Sequence, residues 1–169
     1  VNTMSEYAIN QYLGVAEKIV QYGGTKKETA IRTAFFSLLN EYAKGKGLLV
    51  VAEVTIKGTK GKNVTPDGTL KDSLRQDWGY WESKDESDKI EDEIKKKFDR
   101  GYPKENILFE DSQTAILYQN GYEVKRVKMS DPAALDSLLK LFVSFERPEV
   151  IHFRKAIELF KQDIPKVTE

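Results

Sequence analysis

Cysteine is absent from the 169-residue chain, and histidine occurs once, at His152. The first absence excludes disulfide frameworks, zinc–cysteine sites and cysteine nucleophiles. The second leaves a zinc site or a histidine-based triad without support, so His152 reads as a helix-surface or interface residue. No run approaches the roughly eighteen apolar residues that a membrane-spanning helix needs. The opening residues Val1–Glu6 lack the basic and apolar blocks of a signal peptide, so the expectation is a cytoplasmic chain with no membrane segment. An excess of one charge is also missing, since 27 basic side chains balance 27 acidic ones. Neutrality argues against a free-standing, tight nucleic-acid binder, because phosphate contacts supply much of such affinity. It argues less against a module that other domains deliver. Internal repeats, low-complexity tracts and a Walker A loop are lacking too.

What remains is an ordinary globular composition, 40% hydrophobic and 32% charged, long enough to bury a core without staples. Hydrophobic periodicity predicts a helix over 5–22, stopped by Gly23-Gly24, and a second after Thr25. The second carries Ala30, Ile31, Ala34, Phe35, Leu38, Leu39 and Tyr42 on one stripe. A β-rich strand is expected over 48–56, a Gly/Lys loop over 57–63, and shorter strands over 64–70 and 78–84. A charged helix over 85–100 follows, with Ile90, Ile94 and Phe98 as its apolar stripe and Gly101 in the stop position. Strands are expected over 107–110, 114–118 and 122–129, with Asn120-Gly121 as a hairpin turn. Asp131-Pro132 starts the first of two final helices, which break near Arg147-Pro148. The order implies an α/β sandwich with a mixed central sheet flanked by helices.

Chemistry concentrates in two short blocks. Pro66-Asp67 falls on the second expected strand, and Glu82-Ser83-Lys84 ends the third. Strand alternation puts Trp78, Tyr80, Glu82 and Lys84 on one face, where a neighbouring strand can bring Asp67. Two carboxylates with the Ser83 backbone carbonyl suit magnesium, which is usually held by one or two carboxylates plus waters and phosphate. Such an ion would polarise a phosphoryl oxygen and lower the pKa of a bound water. Lys84 could orient that water and offset charge in the transition state. A pattern this loose also arises by chance. The competing reading makes Asp67-Gly68 a turn and Glu82/Lys84 a solvent-facing pair.

Longer blocks carry a resemblance. Lys27-Glu28-Thr29-Ala30-Ile31-Arg32-Thr33-Ala34-Phe35 is similar to a helix of the N-terminal nuclease domain of type IIG and single-polypeptide type I restriction–modification enzymes. Pro66-Asp67 and Trp81-Glu82-Ser83-Lys84-Asp85 resemble that family's two catalytic blocks. Gly101-Tyr102-Pro103 with Asn106-Ile107-Leu108-Phe109-Glu110 resembles the stretch after its helix. Phe153, Ala156, Ile157, Phe160 and Ile164-Pro165 echo the helical segment leading to its methyltransferase. Thr29 and Thr33 depart from the family's usual His and Pro, and no Gln-x-x-x-Tyr block follows Lys84.

The resemblance implies a PD-(D/E)xK restriction-endonuclease-like core over 1–130 and a C-terminal helical extension over 131–169. It implies Mg2+-dependent cleavage of double-stranded DNA with Asp67, Glu82 and Lys84 as the centre. Methyltransferase and specificity domains, in some members with a helicase motor, would belong to the same parent polypeptide. One site per chain suggests dimerisation for double-strand cleavage. The alternative is a catalytically silent DNA-binding or assembly module of the same fold. Glu28 is a further metal-ligand candidate through the resemblance, although Thr25-x-x-Glu28 is equally a capping box and Arg32 its i,i+4 partner. Lys57, Lys60 and Lys62, in a glycine-flanked loop, are DNA-binding candidates. Lys95-Lys96-Lys97 with Arg100 reads as a solvated face that complements the helix dipole. Trp78 and Trp81 read as packing residues.

Overall fold

In the computed structural model, which describes residues 3–22, 27–85 and 89–164, the periodic segments become α1 (Thr3–Tyr22) and α2 (Lys27–Lys44). The helix-stop glycines 23 and 24, Thr25 and Pro165 lie outside the described residues. The chain then runs through β1 (Leu49–Ala52), β2 (Ile56–Lys57), β3 (Asn63–Val64), β4 (Gly68–Lys71) and β5 (Asp77–Ser83). Helix α3 (Ile90–Arg100) crosses over to β6 (Asn106–Glu110), which is followed by β7 (Thr114–Gln119) and β8 (Tyr122–Lys128). Helices α4 (Pro132–Val143) and α5 (Pro148–Asp163) complete the order.

The main sheet has six strands in the order β1-β4-β5-β6-β7-β8, and β2-β3 form a separate hairpin. Only the β5–β6 pair is parallel, as a helical crossover between them requires. The continuous strand expected over 48–56 is interrupted. Glu53 takes a positive φ of 52°, so the chain leaves the sheet after Ala52 and re-forms as β2. The strand expected over 64–70 divides in the same way, Val64 into β3 and Gly68 onward into β4.

Each face of the sheet carries its own core. On one, α1, α2 and α4 cover Val50, Leu70, Trp81, Leu108, Leu117 and Val127. On the other, Ile90 and Ile94 of α3 cover Ile107, Phe109 and Ile116, with Val64 and Tyr102 at the margin. α4, expected to belong to a C-terminal extension, therefore closes the first core. Its Leu135, Leu138 and Leu139 are fully buried, and the Asp131 carboxylate caps it by accepting from Ala134 N. α5 buries none of its side chains.

One phase error separates the sequence reading from the strand. The β4–β5 register shifts at Leu70/Lys71, so Leu70 faces Gly79 while Lys71 faces Asp77. Trp78 is the extra residue of a bulge, which breaks strict alternation. It packs with Trp81's cluster, whereas Tyr80 packs on the α3 side. Trp78 thus does not share the face of Tyr80 and Glu82.

A carboxylate is buried between the two central strands. Glu110 pairs in register with Ser83, is 1% exposed, and accepts from Trp81 Nε1 at 3.2 Å and Ser112 N at 2.7 Å. Burial pushes its carboxyl from 4.5 up to about 7, against hydrogen bonds from Ser83, Ser112 and Trp81. Between those pH values the folded chain keeps a proton that the unfolded chain has released. The associated stability is present in full below the unfolded value and lost as pH rises through about 7. The loss amounts to at most about 3 kcal/mol. Urea melts from pH 5 to 8.5 should therefore show stability falling with pH, and Glu110→Gln should flatten the slope. Parallel slopes in the two proteins would refute this assignment.

Candidate active site

The chain leaves the β3 hairpin through Thr65 and buried Pro66, and enters β4 at Gly68. Gly68 is required there, because a Cβ would stand 2.8 Å from the Trp81 ring and 3.0 Å from Val50. Asp67 thus lies at the mouth of β4, beside the end of β5. Its Oδ2 accepts from Ser83 N at 2.8 Å, and Glu82 Oε1 accepts from Asp67 N at 2.9 Å. Each carboxylate takes a main-chain N–H of the other's segment, so the two acids are clamped side by side. Glu82 is 2% exposed and Gly68 is paired within β4. The competing picture of a turn and a solvent-facing pair does not describe this geometry.

Lys84 stands one residue beyond β5, where its N–H donates to Glu110 O at 2.7 Å. Its ammonium does not meet Glu82. It pairs with Glu93 of α3 at 3.1 Å, and this contact, first among the causes, holds the Glu93 carboxyl below its ordinary range. Glu82 instead pairs with Lys97 of α3 at 3.1 Å. The Lys97 ammonium also lies 3.4 Å from Tyr102 Oη, which in turn reaches Thr65 O. Burial, then the charge of Asp67, pushes the Glu82 carboxyl upward, with Lys97 opposing. Burial alone would lower the Lys97 ammonium, but Glu82 and Tyr102 together outweigh it and the net direction is upward.

Lys97 corrects the expectation of a solvated basic face, since its side chain is only 12% exposed. Neither it nor Glu93 stands out in the sequence as a site residue. The signal is nevertheless there: positions 90, 93, 94 and 97 follow the i, i+3, i+4, i+7 rule for one helix face. A stripe drawn through the apolar residues alone omits its two charged members. The expected start of this helix at Asp85 also moves, since α3 begins at Ile90, and residues 86–88 are not described.

Glu28 stands apart from Asp67 and Glu82. It lines a cleft of about 240 Å³ with Lys27, Arg32, Ser83, Lys84 and Asp85 among others. A hydrogen bond to Asp85, then some loss of solvation, raises the carboxyl of exposed Glu28, while Arg32 and Lys27 pull it back. Arg32, its i,i+4 neighbour, thus acts on Glu28 through its charge. Its capping role with Thr25 falls outside the described residues.

Lys57, Lys60 and Lys62 are exposed on the β2–β3 hairpin. The hairpin is fastened to the end of α3, where Thr59 N donates to Gly101 O at 2.8 Å. Gly58 permits the approach, because a Cβ there would sit 2.8 Å from Gly101 O. Lys60, Lys62 and Arg100 border a concavity of about 490 Å³ whose wall includes Thr65 and Tyr102. The basic surface thus adjoins the residues that flank the two acids. His152 is exposed on α5, and Trp81 packs in the core. Among the described residues no helix is long and apolar enough to cross a membrane.

No family model and no curated protein matches the chain. Among solved structures, it is similar to part of the cryoEM structure of a DrdV–DNA complex. Identity is 54% over 94% of this chain, with a TM-score of 0.86. The chain spans only 16% of that chain. A DUF820 protein from Anabaena variabilis aligns over 66% of this chain and 81% of its own, at 12% identity and a TM-score of 0.44; that likeness is too distant to bear on the site. With its mixed six-stranded sheet between helices, the chain has a restriction-endonuclease-like α/β fold.

Proposed function

We propose that this chain is the cleavage module of a restriction–modification polypeptide, hydrolysing phosphodiester bonds of double-stranded DNA with Asp67, Glu82 and Lys84 as its centre. The observation that carries the reading is the two-way clamp, in which the Asp67 carboxylate accepts from Ser83 N at 2.8 Å and the Glu82 carboxylate accepts from Asp67 N at 2.9 Å. Two carboxylates are costly to hold together without a cation to neutralise them. The likeness to a segment of a DNA-bound chain supports a nucleic-acid substrate.

The donor set fits magnesium. Among the described residues, no group of three or more His, Cys, Asp or Glu side chains is placed to hold a metal ion, so the proposed site rests on two carboxylates and a main-chain carbonyl. Two carboxylates with the Ser83 carbonyl leave positions for water and phosphate, the usual arrangement for that ion. Asp67 and Glu82 would hold it, and Glu28 is a candidate for a more distant, water-mediated contact. When bound, magnesium supplies Lewis-acid polarisation of the phosphoryl oxygen and a more acidic water. Lys84, anchored through its main chain to β6, orients the attacking water and balances the negative charge that builds on the phosphoryl oxygens. Lys57, Lys60 and Lys62 hold the phosphate backbone beside this centre.

Because the chain spans a small part of its DNA-bound relative, target recognition and methylation are assigned to other domains of a parent polypeptide. The nuclease module would comprise 1–130 together with α4, which closes its core, with the chain from α5 leading onward, and the parent would act in the cytoplasm. Two copies would meet to cut both strands.

Plasmid nicking in magnesium should be present in the parent enzyme and absent in Asp67→Ala and Lys84→Ala, a fall of about 10²-fold or more. Nicking that survives Asp67→Ala would mean a different centre. A parent that cuts while this module tolerates every substitution would favour the silent binding module. The hairpin makes a separate prediction: Lys57→Ala/Lys60→Ala/Lys62→Ala should weaken duplex binding across sequences. The slope of log affinity against log salt should flatten by about 0.9 for each phosphate that is no longer neutralised. An unchanged salt slope would remove the hairpin from the interface.

A further inference from the structure

Each carboxylate oxygen of Glu82 already makes one contact. Oε1 accepts from Asp67 N at 2.9 Å, within the backbone clamp that joins β4 to β5. Oε2 faces the Lys97 ammonium at 3.1 Å, with the Glu82 side chain 3% exposed. A cation bound to Glu82 through Oε2 would meet the oxygen against which the Lys97 ammonium already lies. An ammonium and a divalent cation cannot both lie against one buried oxygen without strong repulsion.

We infer that Lys97 is a built-in stand-in for the metal: it neutralises Glu82 in the metal-free protein and is exchanged for the divalent cation on binding. This rests on the proposed metal role of Asp67 and Glu82. Lys97 is suited to such an exchange in three ways. It is a point charge on a flexible four-carbon stem, so it can withdraw without moving α3. The Tyr102 ring lies 4.9 Å beneath its ammonium, giving a partner that does not depend on Glu82. Glu93 stands one helical turn earlier, in the Glu-before-Lys i,i+4 order that favours pairing, and it already attracts Lys84 and Lys96. The ammonium thus has a place to go when the metal arrives.

The test measures Mn2+ binding by calorimetry, without DNA, for the wild-type chain, Lys97→Met, Lys97→Gln and Asp67→Asn. Removing the competing ammonium should tighten Mn2+ binding by about tenfold in both Lys97 variants, the worth of one charge-assisted contact. Equal or weaker binding by the folded variants would overturn the exchange while leaving the metal site standing. Asp67→Asn should lose Mn2+ binding, and if it does not, the site assignment itself fails. A second readout needs no substitution. Amine acetylation of Lys97, followed by mass spectrometry of the wild-type chain, should be slow without metal and rise severalfold with Mn2+, while exposed Lys95 stays constant. Unchanged Lys97 labelling at saturating Mn2+ would overturn the proposal even if the variants failed to fold.

Discussion

The organisation of the α3 side follows from one buried charge. Glu82 is 2% exposed, and moving an isolated carboxylate out of water costs several kcal/mol even after relaxation. The fold answers with a main-chain N–H on one oxygen and an ammonium on the other. The second answer fixes α3, because Lys97 reaches Glu82 only when the helix docks with Ile90 and Ile94 over β6 and β7. That docking carries Tyr102 against Thr65 and brings Gly101 to the β2–β3 hairpin. The crossover helix, the loop before β4 and the basic hairpin are thereby referred to the same carboxylate.

Much of this was legible in the sequence, for local reasons. The helical stripe in α2, the Asp131-Pro132 start and the Asn120-Gly121 turn all depend on neighbours a few residues away. The last pair adopts positive φ values of 53° and 87°, as a two-residue hairpin of this kind demands. The juxtaposition of Asp67 with Glu82 was also foreseeable, since period-two strands allow it. What stayed hidden was set at longer range. Nothing in Val50-Val51-Ala52-Glu53-Val54-Thr55-Ile56 marks a break, because β propensity runs straight through it. The break appears only because β4 offers pairing for four residues of β1. The Trp78 bulge is similarly invisible, as it arises from a mismatch between two strands rather than from either alone.

The partners of the two lysines illustrate a different kind of blindness. Lys84 and Glu82 lie two apart on β5 and its continuation, and a sequence reading assigns them to each other or to one substrate. In the fold, each is matched by the opposite charge on α3: Lys84 by Glu93 and Glu82 by Lys97. The order is complementary in register, since Glu93 and Lys97 are one turn apart and rise about 6 Å along the helix. Two residues of strand advance by a similar length. An i,i+4 pair on a helix can therefore lie over an i,i+2 pair on a strand, charge against charge. Such matching is a tertiary fact, although its helical half is written in the sequence.

This crossed arrangement also explains how one end of a strand can hold both acid and base without collapse into a direct Glu82–Lys84 pair. A direct pair would neutralise the two groups against each other and leave neither open to a third charged species. Held apart by α3, each keeps its own partner on that helix, Glu93 for Lys84 and Lys97 for Glu82. The opposite face has no such freedom. There Trp81, Leu108, Leu117 and the three helices above them form a dry core with close ring contacts, Phe35 lying 5.7 Å from Trp81. β5 thus presents a fixed apolar face through Trp81 and an exchangeable polar one through Glu82. The single-residue alternation between them is what lets a rigid sheet carry a site whose ion pairs can change.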